Sequence, residues 1–153
     1  MQRLIALFAF IALSGCVSVT SASAPTTRTT LQLSDLDALA IVQARNTVYE
    51  ELVAAEDVEG LVALHTRDYQ IFQPGQNNVA GTDNLRAYWV AAFENMNGLS
   101  VDEKTVSFAG PETIISHDFY QTFQDGEVIG GGQSVIVWKR VDGVWLVHWE
   151  MYN

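Results

Sequence analysis

The chain is poor in the residues that staple, chelate or bind polyanions. Cysteine occurs once, at Cys16, so the folded part can hold no disulfide. The 3 histidines are scattered with no cysteine beside them, which gives no zinc-binding spacing, and no metal site is expected. Lysine and arginine number 8 against 18 acids, a formal net charge of −10. That balance argues against nucleic acid as a partner and against docking on anionic lipid by charge. It does not imply a cationic ligand, because acidic surfaces often serve solubility alone. No Gly-x-Ser-x-Gly occurs, so the nucleophile elbow of a Ser/His/Asp hydrolase is missing. Gly130-Gly131-Gly132 is followed by a β-rich run and not by a helix, so it is no phosphate loop, and no cofactor is expected. A strand that bends or bulges is the better account of those glycines. There is no internal repeat.

What is present begins with a short apolar run. Arg3 precedes an apolar stretch over residues 4–12, then Leu13-Ser14-Gly15-Cys16. Such a run is too short to span a bilayer and reads as a secretory signal over residues 1–15. Leu-Ser-Gly-Cys resembles the bacterial lipobox, in which the cysteine thiol is lipidated and becomes the new N-terminus. The alternative, cleavage after Ala22-Ser23-Ala24, is disfavoured by Pro25 just beyond it. Val17 is not the aspartate that retains such lipoproteins at the inner membrane, which in a Gram-negative source points to the outer membrane. Residues 16–33 are rich in Ser, Thr and Ala, and form the lipidated cysteine and a flexible tether. Loss of the signal removes Arg3 and no acid, leaving 7 basic against 18 acidic residues. The folded domain is residues 34–153.

Within it, helices come first. Ser34 with Asp35 and Asp37 is a helix start, and Leu39, Val42, Asn46, Tyr49 and Val53 share one helical face. A short second helix opens at Asp57, with Val58, Leu61, Val62 and His65 on its buried side. A strand over residues 69–73 is ended by Pro74-Gly75. A third helix starts at Gly81-Thr82-Asp83, carries Leu85, Tyr88, Trp89 and Phe93, and closes at Asn97-Gly98. Strands follow over residues 101–108, 113–123 and 128–141, with Asp125-Gly126 and Asp142-Gly143 as hairpin turns. Helices followed by a meander of antiparallel strands is an α+β layout, with the helices on one sheet face.

The closing strand is the most informative. Alternation along it separates Trp145, Val147, Trp149 and Met151 from Leu146, His148, Glu150 and Tyr152. Plain amphipathicity buries the first set and leaves His148 and Glu150 in water. Elsewhere, His65 reads as a satisfied core or cap histidine, and His117 with Asp118 as a solvated pair. Tyr88, Trp89, Phe93 and Trp138 read mainly as core.

Three stretches taken together, VYEELVAAEDVEGLVALHTRDY, GTDNLRAYW and VWKRVDGVWLVHWEMYN, resemble the nuclear transport factor 2-like superfamily in its SnoaL-like and ketosteroid isomerase-like branch. The resemblance covers residues 34–153. It implies a cone-shaped, curved antiparallel sheet wrapped around three N-terminal helices, with a pocket inside. It also implies dimerisation through the outer sheet face in many relatives. Ketosteroid isomerases use a general-base Asp and an oxyanion hole of a Tyr and a protonated Asp. The resemblance lays the oxyanion Tyr on Tyr49, the base on Gln73 and the second Asp near Ile136. Two of those three roles lack an acid, so steroid isomerisation by that mechanism is not expected.

The same resemblance turns His148, Glu150 and Tyr152 towards the pocket, joined by Tyr49 and Trp89 from the helices and Gln73 from the first strand. It agrees with amphipathicity only if a dimer partner covers Trp149 and Met151. The expectation is a lipid-anchored envelope protein whose domain binds a small, largely apolar molecule without catalysis. The ligand-binding set is Tyr49, Gln73, Trp89, His148, Glu150 and Tyr152. Two alternatives stand beside it. One is cofactor-free proton transfer of the isomerase, cyclase or hydratase type, by Glu150 or His148 with Tyr49 as hydrogen-bond donor. The other is a dimeric assembly module. The membrane is reached only through the lipid on Cys16.

Overall fold

The computed structural model describes residues 34–153; the expected signal peptide, Cys16 and tether lie outside the described residues. Helix α1 (Asp35–Ala54) starts at a capping box, in which Ser34 Oγ accepts from the Asp37 amide and the Asp37 carboxylate accepts from the Ser34 amide. Its buried face is Ala38, Val42, Asn46 and Val53, with Tyr49 half-buried beside them. Helix α2 (Val58–Ala63) is capped by Asp57, whose side chain accepts from the Gly60 amide. His65 does not belong to this helix; it opens strand β1 (His65–Phe72). That strand starts four residues earlier than local pattern indicates because it zips onto a distant strand: the Val147 amide donates to the Leu64 carbonyl at 2.9 Å. Gln73 falls just beyond its end. A two-residue strand β2 (Val79–Ala80) and helix α3 (Thr82–Ala92) complete the first half.

The second half is a meander of β3 (Gly98–Gly110), β4 (Thr113–Gln124), β5 (Glu127–Val141) and β6 (Val144–Tyr152). The six-stranded sheet runs β2-β1-β6-β5-β4-β3, open and curved, antiparallel except where β1 lies parallel to β6. Two-residue loops join β4 to β5 and β5 to β6. Asp125-Gly126 and Asp142-Gly143 have positive φ at both positions, as tight hairpin turns between twisted strands need. The triple glycine sits where β5 is crowded. A Cβ on Gly131 would stand 2.6 Å from the Tyr120 carbonyl oxygen, and a register shift opposite residues 122 and 123 bends the strand there.

Two apolar clusters form the core. Ala38, Val42, Ile114, Trp138, Trp145 and Val147 pack at one end of the sheet. Val53, Leu61, Tyr69, Ile71, Leu85 and Trp89 pack beneath the shorter helices. The site lies between them.

The last strand changes phase midway. Its register with β5 shifts between Val137 and Trp138, so that one residue of β6 is extra. Before the shift Trp145 and Val147 point into the core; after it Glu150 and Tyr152 point inward while Trp149 and Met151 point out. His148 and Trp149, on either side of the step, share the outer face, their rings stacked with centroids 5.1 Å apart. Each simple alternation therefore holds for half of the strand.

Candidate functional site

A partly open cavity of about 290 Å³ occupies the concave side of the sheet. Helix α1 contributes Asn46 and Tyr49 to its wall, and α3 contributes Tyr88 and Trp89. Strand β4 adds Tyr120 and Thr122, and β5 adds Gly130, Gly131, Ser134 and Ile136. Glu150 and Tyr152 arrive from β6, delivered by its change of phase. Among the described residues, the lining contains no lysine, arginine or histidine.

The aromatic side chains brace one another. Tyr49 and Trp89 meet edge to face at 5.7 Å, and Trp89 and Tyr88 at 5.4 Å. The Tyr88 and Tyr152 hydroxyls are 3.3 Å apart, and the Tyr152 and Tyr120 rings stand at 6.0 Å. This chain of contacts joins α1, α3, β6 and β4 into one wall. Burial raises the pKa of Tyr49 well above the usual phenol value, so its hydroxyl stays protonated and can donate.

Glu150 is the carboxyl within that wall. Desolvation, and after it the nearby Asp118 charge, push it up to about 7. Asp118 lies on β4 and is fully buried. Its Oδ2 accepts from Ser116 Oγ at 2.8 Å, and that hydroxyl in turn accepts from Trp138 Nε1 at 3.1 Å. Its Oδ1 has no partner. Burial pushes Asp118 up to about 6, against the lowering effect of the Ser116 hydrogen bond. A third carboxyl, Glu103 on β3, accepts from Asn46 Nδ2 at 2.7 Å. Among the described residues no group of three or more carboxylate, imidazole or thiol side chains is arranged to hold a metal ion.

Of the six residues expected to bind a ligand, Tyr49, Trp89, Glu150 and Tyr152 line this cavity. His148 does not. The β6 bulge turns it to the opposite face, where it is buried against Thr66, whose Oγ1 lies 2.9 Å from His148 Nδ1. Burial lowers its pKa, and the Lys139 charge lowers it further. Gln73 is also elsewhere. Because β1 ends at Phe72, Gln73 borders a separate open groove with Gln76, Asn77 and Asn84, which touches the cavity wall only through Tyr88 and Tyr152. His65 is a buried core histidine, neutral because burial pulls it down to about 4, with Nδ1 2.7 Å from the Leu61 carbonyl oxygen.

Asp118 was expected to be solvated beside His117; the two separate, with His117 on the exposed face near Gln133. Asp118 lies one strand away from Ile136, since Ser116 pairs with Ile136 and Asp118 with Ser134, but it stands behind the cavity wall and does not line the space. The signal for it was the polar alternation Ser116, Asp118, Tyr120. It misleads because the opposite alternation, Ile115 and Phe119, is the more apolar and yet faces out.

The family model described as "SnoaL-like domain" matches residues 46–150. No curated protein matches the sequence. Among solved structures, a ketosteroid isomerase-like protein from Erwinia carotovora atroseptica SCRI1043 is similar at 18% identity and a TM-score of 0.63, covering 74% of this chain and 93% of that one. An NTF-2 like protein of unknown function from Shewanella oneidensis MR-1 is similar at 10% identity and a TM-score of 0.66, covering 74% and 97%. Another NTF2-like protein of unknown function, from Pseudomonas putida KT2440, is similar at 17% identity and a TM-score of 0.64, covering 79% and 89%. At these identities the likeness carries the fold alone.

Proposed function

The chain belongs to the SnoaL-like domain family, and we propose that its cavity binds one small, largely apolar molecule without chemical change. The observation that carries this reading is the cavity of about 290 Å³, walled by mutually braced aromatic rings and aliphatic side chains, with Asn46, Thr122, Ser134, Glu150 and the tyrosine hydroxyls as the polar groups set among them. Native mass spectrometry of protein purified from its own host tests it. The expected result is an adduct of small-molecule mass that disappears on denaturation. A bare chain, with no apolar compound able to shift the melting temperature, sinks the reading.

One observation favours a second reading, cofactor-free proton transfer. The Glu150 carboxyl is held up to about 7, near the value that suits a general acid–base group at neutral pH, and Tyr49 keeps its proton to donate. His148 has no part in it, being on the other face. Turnover of a retained metabolite that falls by ~100-fold or more in Glu150→Gln would establish this reading and displace the first.

We further propose that Cys16 carries a lipid that tethers the domain in a bacterial envelope, on the outer membrane in a Gram-negative source. The support is the apolar run that ends in Leu13-Ser14-Gly15-Cys16. Cys16→Ser is expected to move the protein from the detergent phase to the aqueous phase of a Triton X-114 partition. Equal partition of both forms rejects the anchor.

A further inference from the structure

Among the described residues, the one charged side chain that lines the cavity is an acid, Glu150, and much of the wall is aromatic. Glu150 lines the space, and no side chain among the described residues donates a hydrogen bond to its carboxyl. Asp118 stands behind the wall from β4, with Glu103 from β3 beyond it. The other titratable groups around Glu150 are phenols: Tyr49 from α1, Tyr69 from β1, Tyr88 from α3, Tyr120 from β4, and Tyr152 on its own strand. Among the described residues no cationic side chain lines the space to compensate an ionised carboxyl. An anionic ligand would meet repulsion from two acids. A neutral one would leave Glu150 either protonated or buried and unpaired, at a cost.

A cation removes that cost twice. It pairs with the carboxylate, and it is attracted to the faces of tyrosine and tryptophan rings, an attraction that grows when water is excluded. The wall provides such rings already braced against each other, so little side-chain freedom is lost on binding. The donor set does not suit a metal ion. The space of about 290 Å³ suits an organic body.

We propose that the cavity's ligand is a small organic cation, a protonated amine or quaternary ammonium on an apolar body, held with its charge beside Glu150 and among Tyr49, Tyr88, Trp89 and Tyr152. This rests on the reading of the cavity as a binding site and names the chemistry that it selects. The overall acidity of the chain plays no part in it; the sign of the groups around this one cavity does.

The test compares two probes of the same shape on the full chain, benzyltrimethylammonium and its neutral carbon isostere neopentylbenzene, by quenching of tryptophan fluorescence. The wild type is expected to bind the cation roughly tenfold or more tightly than the isostere. Glu150→Gln, which keeps size and loses the charge, is expected to cancel or reverse that preference while still binding the isostere. Since burial holds Glu150 up to about 7, affinity for the fixed-charge cation should rise roughly tenfold between pH 6 and pH 8 as the carboxyl ionises. The slope should flatten in Glu150→Gln. Calorimetry of the wild type in two buffers of different ionisation enthalpy gives a readout free of any variant, and about half a proton should be released per cation bound at pH 7.

Equal or tighter binding of the isostere by the wild type overturns the cation proposal and leaves the binding cavity standing. So does a cation affinity untouched by Glu150→Gln or pH. If neither probe binds, both the cavity reading and this inference fall.

Discussion

At the scale of single residues, Glu150 is a carboxyl whose burial works against the stability of the fold. Its ordinary value is 4.5, and burial raises it to about 7 in the folded chain. Below pH 4.5 it is protonated in both folded and unfolded states, so it costs nothing. Between pH 4.5 and pH 7 the unfolded chain ionises and the folded one resists, so stability falls; above pH 7 the cost is constant. From the size of the shift that cost is about 3 kcal/mol at most. Asp118, raised from 3.8 to about 6, adds a penalty of the same sign that builds up between those values. Glu150→Gln is therefore expected to stabilise the domain by about 2–3 kcal/mol at pH 8 and by almost nothing at pH 4, read from urea unfolding at the two pH values. A difference that does not change with pH would mean that the carboxyl is not desolvated. The carboxyl's presence on the last strand is plain in the sequence. Its environment is not, because Asp118 comes from 32 positions away along the chain and across β5.

At the scale of elements, local rules worked where the cause was local. The capping serine, the aspartate at the start of α2 and both Asp-Gly turns act through their own neighbours, and each forms as composition indicates. They failed where the cause was pairing between distant strands. The early start of β1 and the phase change in β6 arise from the parallel join of those strands and from the shift against β5. No period-2 pattern within nine residues reveals a bulge. The triple glycine was legible as a bend or bulge in a strand, and the structure adds a close approach that the sequence did not show. Gly131→Ala would drive a methyl group against the Tyr120 carbonyl oxygen at 2.6 Å. It is expected to cost roughly 1–3 kcal/mol of stability by thermal or urea unfolding. Gly143→Ala forces a non-glycine residue to φ 86° in open space and should cost about 1 kcal/mol. A Gly131→Ala that unfolds like the wild type would show that the strands can separate there at no cost.

At the scale of the whole molecule, the sheet has two faces of different character. The concave face holds the cavity. The other carries apolar side chains in register: Ile115 pairs with Val137 and Val137 with Trp149, while Val135 pairs with Met151. Trp149 is 45% exposed and Met151 55% exposed, with Phe72 edge to face against Trp149 at 6.4 Å. Exposed apolar side chains gathered in this way are unfavourable in water unless something covers them. We propose that a second copy of the chain covers it, as expected for Trp149 and Met151 from the family resemblance. Sedimentation velocity should then give a dimer mass for the wild type and a monomer mass for Trp149→Glu. A wild type that stays monomeric at high concentration removes the dimer from consideration.

The amino-acid order alone settles whatever depends on near neighbours and on composition: helices before strands, the turn positions, the lack of disulfide and zinc motifs, and the family to which residues 46–150 belong. The direction of each residue on the closing strand was beyond it. Face assignment in a sheet depends on register against partners from other parts of the chain, and one extra residue reverses every side chain after it. That single step in β6 sends His148 out with Trp149 and brings Glu150 and Tyr152 in beside Tyr49 and Trp89. The gathering of three acids, with Asp118 fully buried among them, is likewise a property of packing, since only the curved sheet brings β3, β4 and β6 around the same space.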